Sequence, residues 1–363
     1  MSHYEKRLEA DLSKIRDSLS SIATKVENAL DEAMNALLQG DDQQAYAIML
    51  GDRPINREVR RLDKMCHSFI ALHLPSAGHL RFISAVMRVC IALERIGDYA
   101  VTICRQAVQL PRPPQDPLAR EIGAMADQSR RMLNKANAAF LGSRSDTAMT
   151  TMHLTNQAGH IFDSVFESLV REEGDWTKKE LFGMLVICNM LLRISDQAKN
   201  ICEETIFAVT GESQASDVYS IVFLDEDNSF LGQMAEAIAR KTFPNCGSYF
   251  SAGRTAAAAL APNLKEFLEK RGIDITAAKP KSIEELPQKL SDHYIIVSLQ
   301  NHVKSYMTSV PFHSIALEWE VGLPTSPNDI DNDVLETIYR ALAHRISELI
   351  EKLRGVRAPC STN

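Results

Sequence analysis

The chain has 363 residues, 45% of them hydrophobic and 24% charged, which is an ordinary globular composition spread over more length than one compact core takes. The formal net charge of −7, with basic residues dispersed along the chain, leaves no electrostatic footprint for nucleic acid. Aromatics are only 6% and Met is frequent, which favours helical packing over a β-sandwich or barrel.

From the N-terminus the pattern is helical: apolar residues recur at i, i+3, i+4 and i+7 with almost no strand-like alternation. The first segment, MSHYEKRLEADLSK, is charged and amphipathic and does not read as a signal peptide. Helices are predicted over Tyr4–Gln39, Asp42–Ile70, Gly78–Val108, Pro117–Leu141, Ser145–Val170 and Lys178–Phe207. The breaks QGDD, LPSAG, LPRPPQDP, GSRSD and EEGDWT carry Gly, Pro or Ser, and such short loops imply antiparallel bundles.

The six helices read as three used twice. RFISAVMRVCIALERIGDYAVTIC (81–104) aligns without gaps on KELFGMLVICNMLLRISDQAKNIC (179–202), matching Cys90 with Cys188, Leu93 with Leu191, Asp98 with Asp196 and Cys104 with Cys202. The seven cysteines form no C-x-x-C pair, and four sit in these apolar stretches as small hydrophobes, which suits a reducing compartment. No apolar run reaches the roughly 18 residues of a membrane span. A cytoplasmic protein without membrane insertion is expected.

After the polar stretch TGESQASD the period changes. VYSIVFL and DHYIIVSL are apolar, β-branched runs typical of strands buried on both faces; HSIALEWE reads as a third strand and YFSAG as the end of another. Helices are predicted between them over Gly232–Lys241, Ala256–Arg271, Ile283–Leu290 and Asp333–Leu353. Alternating β and α elements imply a mostly parallel sheet covered by helices. His153 and His160, seven apart without a zinc-spaced partner, and Trp176 and Trp319 read as packing residues.

Glu94 and Asp98 share one helix face, as do Asp196 and Asn200 in the second copy, with Glu204 a turn further. Carboxylates at this spacing repel unless a hard cation bridges them or Arg95 and Arg193 neutralise the stripe; both readings stay open. LERIGDYAVTI, LRISDQAKNI and PSAGHLRFI resemble the paired signature of PhoU-type phosphate-uptake regulators over about the first 210 residues. The resemblance implies a negative regulator of the phosphate-starvation response, with a phosphate ABC transporter ATPase and a phosphate sensor histidine kinase as partners and a homo-oligomeric state. It also implies a divalent metal (Mg, Mn, Fe or Zn) on Glu94, Asp98, Asp196 and Asn200. Thr102, Leu192 and His79 stand where the family has oxygen ligands or the Asp of its DLR segment.

VFLDEDNSFLGQMAEAIAR (222–240) reads as strand, tight loop and helix, a layout that holds anions on backbone N–H groups, yet the loop carries Asp225, Glu226 and Asp227. With YFSAG, RGIDITAAKPKSIEEL, SDHYIIVS and ALEWEVGLP in order, it resembles the low-molecular-weight tyrosine phosphatase and arsenate reductase family. That implies a flavodoxin-like sheet with a phosphate loop spanning Asp225, Glu226, Asp227, Asn228, Leu231 and Gly232. The chemistry is missing: Asp225 replaces the nucleophilic Cys, Leu231 the anion-clamping Arg and Gly232 the hydroxyl, and Leu323 precedes Pro324 where the general-acid Asp belongs. The first redox Cys of the reductase branch falls at Ser298. A catalytically inactive domain is expected, with Asp225 either filling the anion site itself or facing solvent. The alternatives are a Mg-dependent phosphatase of haloacid-dehalogenase type, with Asp225 as nucleophile, Asp227 as acid, and Ser298 and Lys304 in support, and a metal-binding helical protein unrelated to phosphate.

The expected architecture is therefore multidomain, α plus α/β. A PhoU-like six-helix tandem of two three-helix bundles occupies 1–212 (copies about 1–110 and 117–212). A linker follows at 213–217, a low-molecular-weight-phosphatase-like domain at 218–357 and a tail at 358–363.

Overall fold

The computed structural model describes residues 3–152, 154–171, 176–212, 219–311, 313–321 and 332–354. The chain divides into two compact units, Met1–Ala215 and Ser216–Asn363. The linker, the tail, His153 and the Leu323–Pro324 pair lie outside the described residues.

The first unit is helical. Its elements are α1 (His3–Gln39), α2 (Asp42–His73), α3 (Ala77–Ala107), α4 (Leu118–Leu141), α5 (Ser145–Met152), α6 (Thr155–Arg171) and α7 (Lys178–Thr210). The duplication is written into the packing: Cys90, Leu93, Ile96, Ala100, Ile103 and Cys104 on α3, and their counterparts Cys188, Leu191, Ile194, Ala198, Ile201 and Cys202 on α7, are all buried in one core. Burial pushes the Cys104, Cys188 and Cys202 thiols up to about 12, so they stay protonated and behave as hydrophobes. Arg88 of α3 ties the copies together, pairing with Glu204 of α7 at 3.1 Å with its guanidinium over the Phe207 ring. Ser195 of α7 donates to Ser129 of α4 at 3.0 Å, and Ser129 donates to the Leu191 carbonyl at 2.9 Å. Thr177 and Glu180 form a capping box that starts α7.

The structure corrects two details of this half. The helix predicted over Ser145–Val170 is two helices, α5 and α6; the Leu154 N–H turns back to the Thr151 carbonyl, and Gln128 of α4 reaches the Leu154 carbonyl. Among the described residues α7 is long and apolar enough to cross a membrane by length and composition, although no single apolar run suggests it. Half of that stretch is buried inside the bundle, which accounts for its apolarity.

The second unit is a four-stranded parallel sheet in the order β2-β1-β3-β4, with β1 (Tyr219–Asp225), β2 (Gly247–Gly253), β3 (Ile295–Ser298) and β4 (Ile315–Glu318). Helices α8 (Leu231–Thr242), α9 (Leu264–Glu269) and α10 (Asn332–Arg354) accompany it. Crossovers that step first to one side of β1 and then to the other make the doubly wound, flavodoxin-like order. That order places the end of β1, at Asp225, at the switch point where such folds bind ligands.

Two predicted helices shrink here. Within 256–271 only Leu264–Glu269 is helical, because the segment before it binds the loop after β1. Arg254, Thr255, Ala257 and Ala261 donate their N–H groups to the carbonyls of Asp225, Glu226, Asp227 and Ser229 at 2.9–3.2 Å. This pairing overrides the helix propensity of the Ala run. The segment 283–290 keeps one turn, Ile283–Glu285, and Leu286 is extended ahead of Pro287.

Candidate functional site

On α3, Glu94 is half-buried and Asp98 exposed, and the Thr102 hydroxyl turns back onto the Asp98 carbonyl at 2.9 Å. Across from them α2 contributes a pair that the sequence reading missed. Gly97 of α3 faces Asp52: a Cβ there would sit 3.5 Å from Asp52 Oδ1, in ordinary van der Waals contact, which places Asp52 against α3 at the acidic face. Asp52 Oδ2 accepts from Asn56 Nδ2 at 2.8 Å, while Asp52 Oδ1 and Asn56 Oδ1 are buried with no hydrogen-bond partner. Burial and then the Asp98 charge raise the Asp52 carboxyl above its ordinary value, against the Asn56 bond and Arg105. Glu94 makes no hydrogen bond or ion pair with any described residue. A cavity of about 400 Å³ adjoins Asp52, lined also by Lys25, Glu32, Gln44 and Gly97. The missed signal was available: Asp52 and Asn56 repeat on α2 the i, i+4 spacing of Glu94 and Asp98.

Two buried oxygens without donors, with the Asp98 carboxylate near enough to raise Asp52, are atom types suited to a hard cation. Among the described residues, no three His, Cys, Asp or Glu ligand atoms of this face yet lie within 4.8 Å of one another.

The second face is built differently. Asp196 pairs with Arg193 at 3.7 Å, and Asn200 Nδ2 reaches Gln197 Oε1 at 3.4 Å. Glu204 is held by Arg88. Burial raises the Asp196 carboxyl, with Arg193 and Lys199 opposing. Its oxygens already face the chain's own cations, and Leu192 is half-buried where the resembled family has a carboxylate.

The loop after β1 closes on its own first residue. Asp225 is 2% exposed; its Oδ1 accepts the Asn228 N–H at 2.6 Å and its Oδ2 the Gly232 N–H at 2.7 Å. Burial pushes its carboxyl up to about 7, against those two N–H bonds, with the Asp227 charge raising it further. Asn228 sits in the left-handed region at φ 56°, fully buried, its Oδ1 accepting from Gln233 Nε2 and the Lys281 N–H while its Nδ2 has no partner. A Cβ at Gly232 would lie 2.8 Å from that Nδ2, so any side chain there would force the buried Asn228 amide to shift. Glu226 is held by Arg254 at 3.4 Å and Asn301 at 3.0 Å, and Asp227 Oδ1 accepts from the Ser229 N–H and hydroxyl at 2.9 and 2.7 Å. Leu231 is buried in the core of the unit.

Each carboxylate therefore serves the loop's own structure. Ser298, at the end of β3, donates to the carbonyls of Gln300 and Asn301 rather than toward the loop, and Lys304 is exposed. Both Asp225 oxygens are taken by loop N–H groups, and position 231 holds a buried leucine.

Fold and site together give a duplicated helical bundle with acidic faces and a second, flavodoxin-like unit whose loop after β1 closes on Asp225. A PhoU domain model matches twice, over residues 19–107 and 122–205. The phosphate-specific transport system accessory protein PhoU homolog 1 of Methanothermobacter thermautotrophicus is 31% identical over 208 residues, covering 55% of this chain and 93% of that protein. The crystal structure of PhoU from Pseudomonas aeruginosa is similar at 28% identity and a TM-score of 0.54, covering 56% of this chain and 99% of that one. An arsenate reductase in a phosphate-binding state is similar at 23% identity and a TM-score of 0.32, covering 38% of this chain and 99% of that one. The chain belongs to the PhoU family.

Proposed function

We propose that this chain is a cytoplasmic accessory regulator of phosphate uptake and of the phosphate-starvation response, acting through protein contacts and without turnover. The observation that carries this reading is the paired PhoU domain, whose relatives are phosphate-specific transport accessory proteins. A phosphate transporter's ATPase and a sensor histidine kinase are the partners the reading takes, and a homo-oligomer is its working state. Deleting the chain from its host is expected to switch on starvation-response genes in phosphate-replete medium, with the wild-type gene restoring repression. Unchanged expression and uptake in the deletion strain would overturn the reading.

The α/β unit enters as a pseudo-phosphatase serving as a binding module. Support comes from Asp225, which takes the N–H groups an anion would otherwise receive, and from Leu231 in place of a clamp. Asp225-dependent hydrolysis of an aryl phosphate with Mg²⁺ would speak instead for an aspartate-nucleophile phosphatase.

A divalent cation belongs to the proposal on the first acidic face only. Asp52, Asn56, Glu94 and Asp98 are the residues that would hold it. Such a cation, when bound, supplies the positive charge that offsets their mutual repulsion and ties α2 to α3. Mn²⁺ is expected to raise the melting temperature of the wild type and to lose that effect in Asp52→Asn and Asp98→Asn, which differential scanning fluorimetry reads. An equal shift in all three would argue against this face.

A further inference from the structure

Folding gathers charges that look dispersed in the sequence. Arg53, Arg57, Arg60, Arg61 and Lys64 are all exposed, and 3.6 residues per turn puts them on one side of α2 with Tyr46 and Leu50, which are 53% and 75% exposed. None of the five cations makes a hydrogen bond or ion pair with another described residue. They run for about 16 Å, three helical turns. In a chain whose net charge is −7, five unpaired cations in a line are a local reversal of sign.

Glu58 and Asp63, the carboxylates of α2 within the length of this stripe, stand on its opposite flanks. Glu58 on one side is paired with Lys25 at 2.5 Å, and Asp63 on the other approaches His67 at 3.5 Å; both are partly exposed. A broad anionic surface, such as a bilayer or a duplex backbone, would press on these flanking carboxylates as well as on the cations. A single helix laid along the stripe meets the cations and passes between the carboxylates.

We propose that the outward face of α2 is a docking surface for an acidic amphipathic helix of a partner protein. Its carboxylates, spaced every third or fourth residue, lie over Arg53–Lys64, and its apolar residues cover Tyr46 and Leu50. Arg suits this role because its planar fork pairs with carboxylates bidentately. The surface deepens the regulator reading by giving the chemistry of a partner, and its test needs no phosphate-linked response, so the two stand or fall separately.

The probe is a fluorescein-labelled synthetic helix of about five turns, with Leu at one end and Glu at every third or fourth position, titrated with the full chain by fluorescence anisotropy. Binding is expected at low salt, fading as salt rises, and absent for the same peptide with Gln in place of Glu. The triple variant Arg53→Glu, Arg57→Glu, Arg61→Glu is expected to weaken it at least about tenfold, while the three Arg→Lys substitutions retain most of it. Circular dichroism and the melting temperature check that the triple variant folds, and the single Arg57→Glu variant serves if it does not. No binding, or binding unaffected by charge reversal, overturns the proposal. So does retention on phosphatidylglycerol-containing vesicles that the same triple variant abolishes, which would assign the face to a membrane surface.

Discussion

Replacing Gly253 with alanine is expected to destabilise the α/β unit by about 3 kcal/mol and to displace the loop after β1. Gly253 ends β2 directly opposite Asp225 in the parallel ladder. A Cβ there would lie 2.6 Å from the Asp227 carbonyl carbon, 2.7 Å from the Asn228 nitrogen and 2.7 Å from the Thr255 oxygen. All three are backbone atoms, so no side chain can rotate away. The loop cannot retreat cheaply either, because its carbonyls accept the N–H groups of Arg254, Thr255, Ala257 and Ala261. Urea unfolding followed at Trp319, buried against Phe223, reports on this unit once Trp176 is replaced by Phe. Gly123→Ala in α4 is the control: it has open space around its Cβ and is expected to stabilise its own unit by up to about 1 kcal/mol. An unchanged midpoint for Gly253→Ala would show that the loop does not sit on β2 as described.

Asp225→Ala is expected to cost a further class of energy, about 2–5 kcal/mol, because it leaves the buried N–H groups of Asn228 and Gly232 without an acceptor. The vacated loop is then open to an outside anion. Inorganic phosphate is expected to raise the unfolding midpoint of Asp225→Ala and leave the wild type unmoved. Phosphate binding to the wild type that Asp225→Ala weakens would reverse the account of the loop.

Asp225 also gives the fold a pH signature. Its folded pKa of about 7 lies above the ordinary 3.8. Between these values the folded chain holds a proton that the unfolded chain has released, so this group's contribution falls as pH rises from about 4 to about 7 and is level above that. The slope is at most about 1.4 kcal/mol per pH unit. His293, fully buried and pushed down to about 4, works the other way: its contribution is present above about 6.5 and is lost as pH falls toward 4. Wild type and Asp225→Asn share His293, so the difference between their urea midpoints across pH 4.5–8.5 isolates the Asp225 part.

The parts of this molecule legible in sequence were those with a repeating signal. The matched Cys90/Cys188 and Ile96/Ile194 positions declare the duplicated bundle because burial constrains both copies alike. The β-branched runs declare the parallel strands. Legibility failed where a tertiary partner overrides local preference. The Ala-rich run after Thr255 would be helical alone and is instead spent on the carbonyls of the β1 loop. The break between α5 and α6 is set where Gln128 of a neighbouring helix takes the Leu154 carbonyl. At the acidic face, Glu94 and Asp98 are legible from their spacing on one helix, while Asp52 comes to Asp98 only through the packing of α2 on α3. At the loop, the sequence left Asp225 either turned inward or facing solvent; its two N–H bonds and 2% exposure turn it inward.

The central claim is regulation through partners rather than turnover. Its most direct test is affinity purification of the tagged full chain from phosphate-replete and phosphate-starved cells, with bound proteins identified by mass spectrometry. The account predicts recovery of a phosphate-transporter ATPase or its sensor kinase, in amounts that change with phosphate supply. A partner set that contains neither and ignores phosphate would contradict it, and would mean that the PhoU scaffold here serves a different signal.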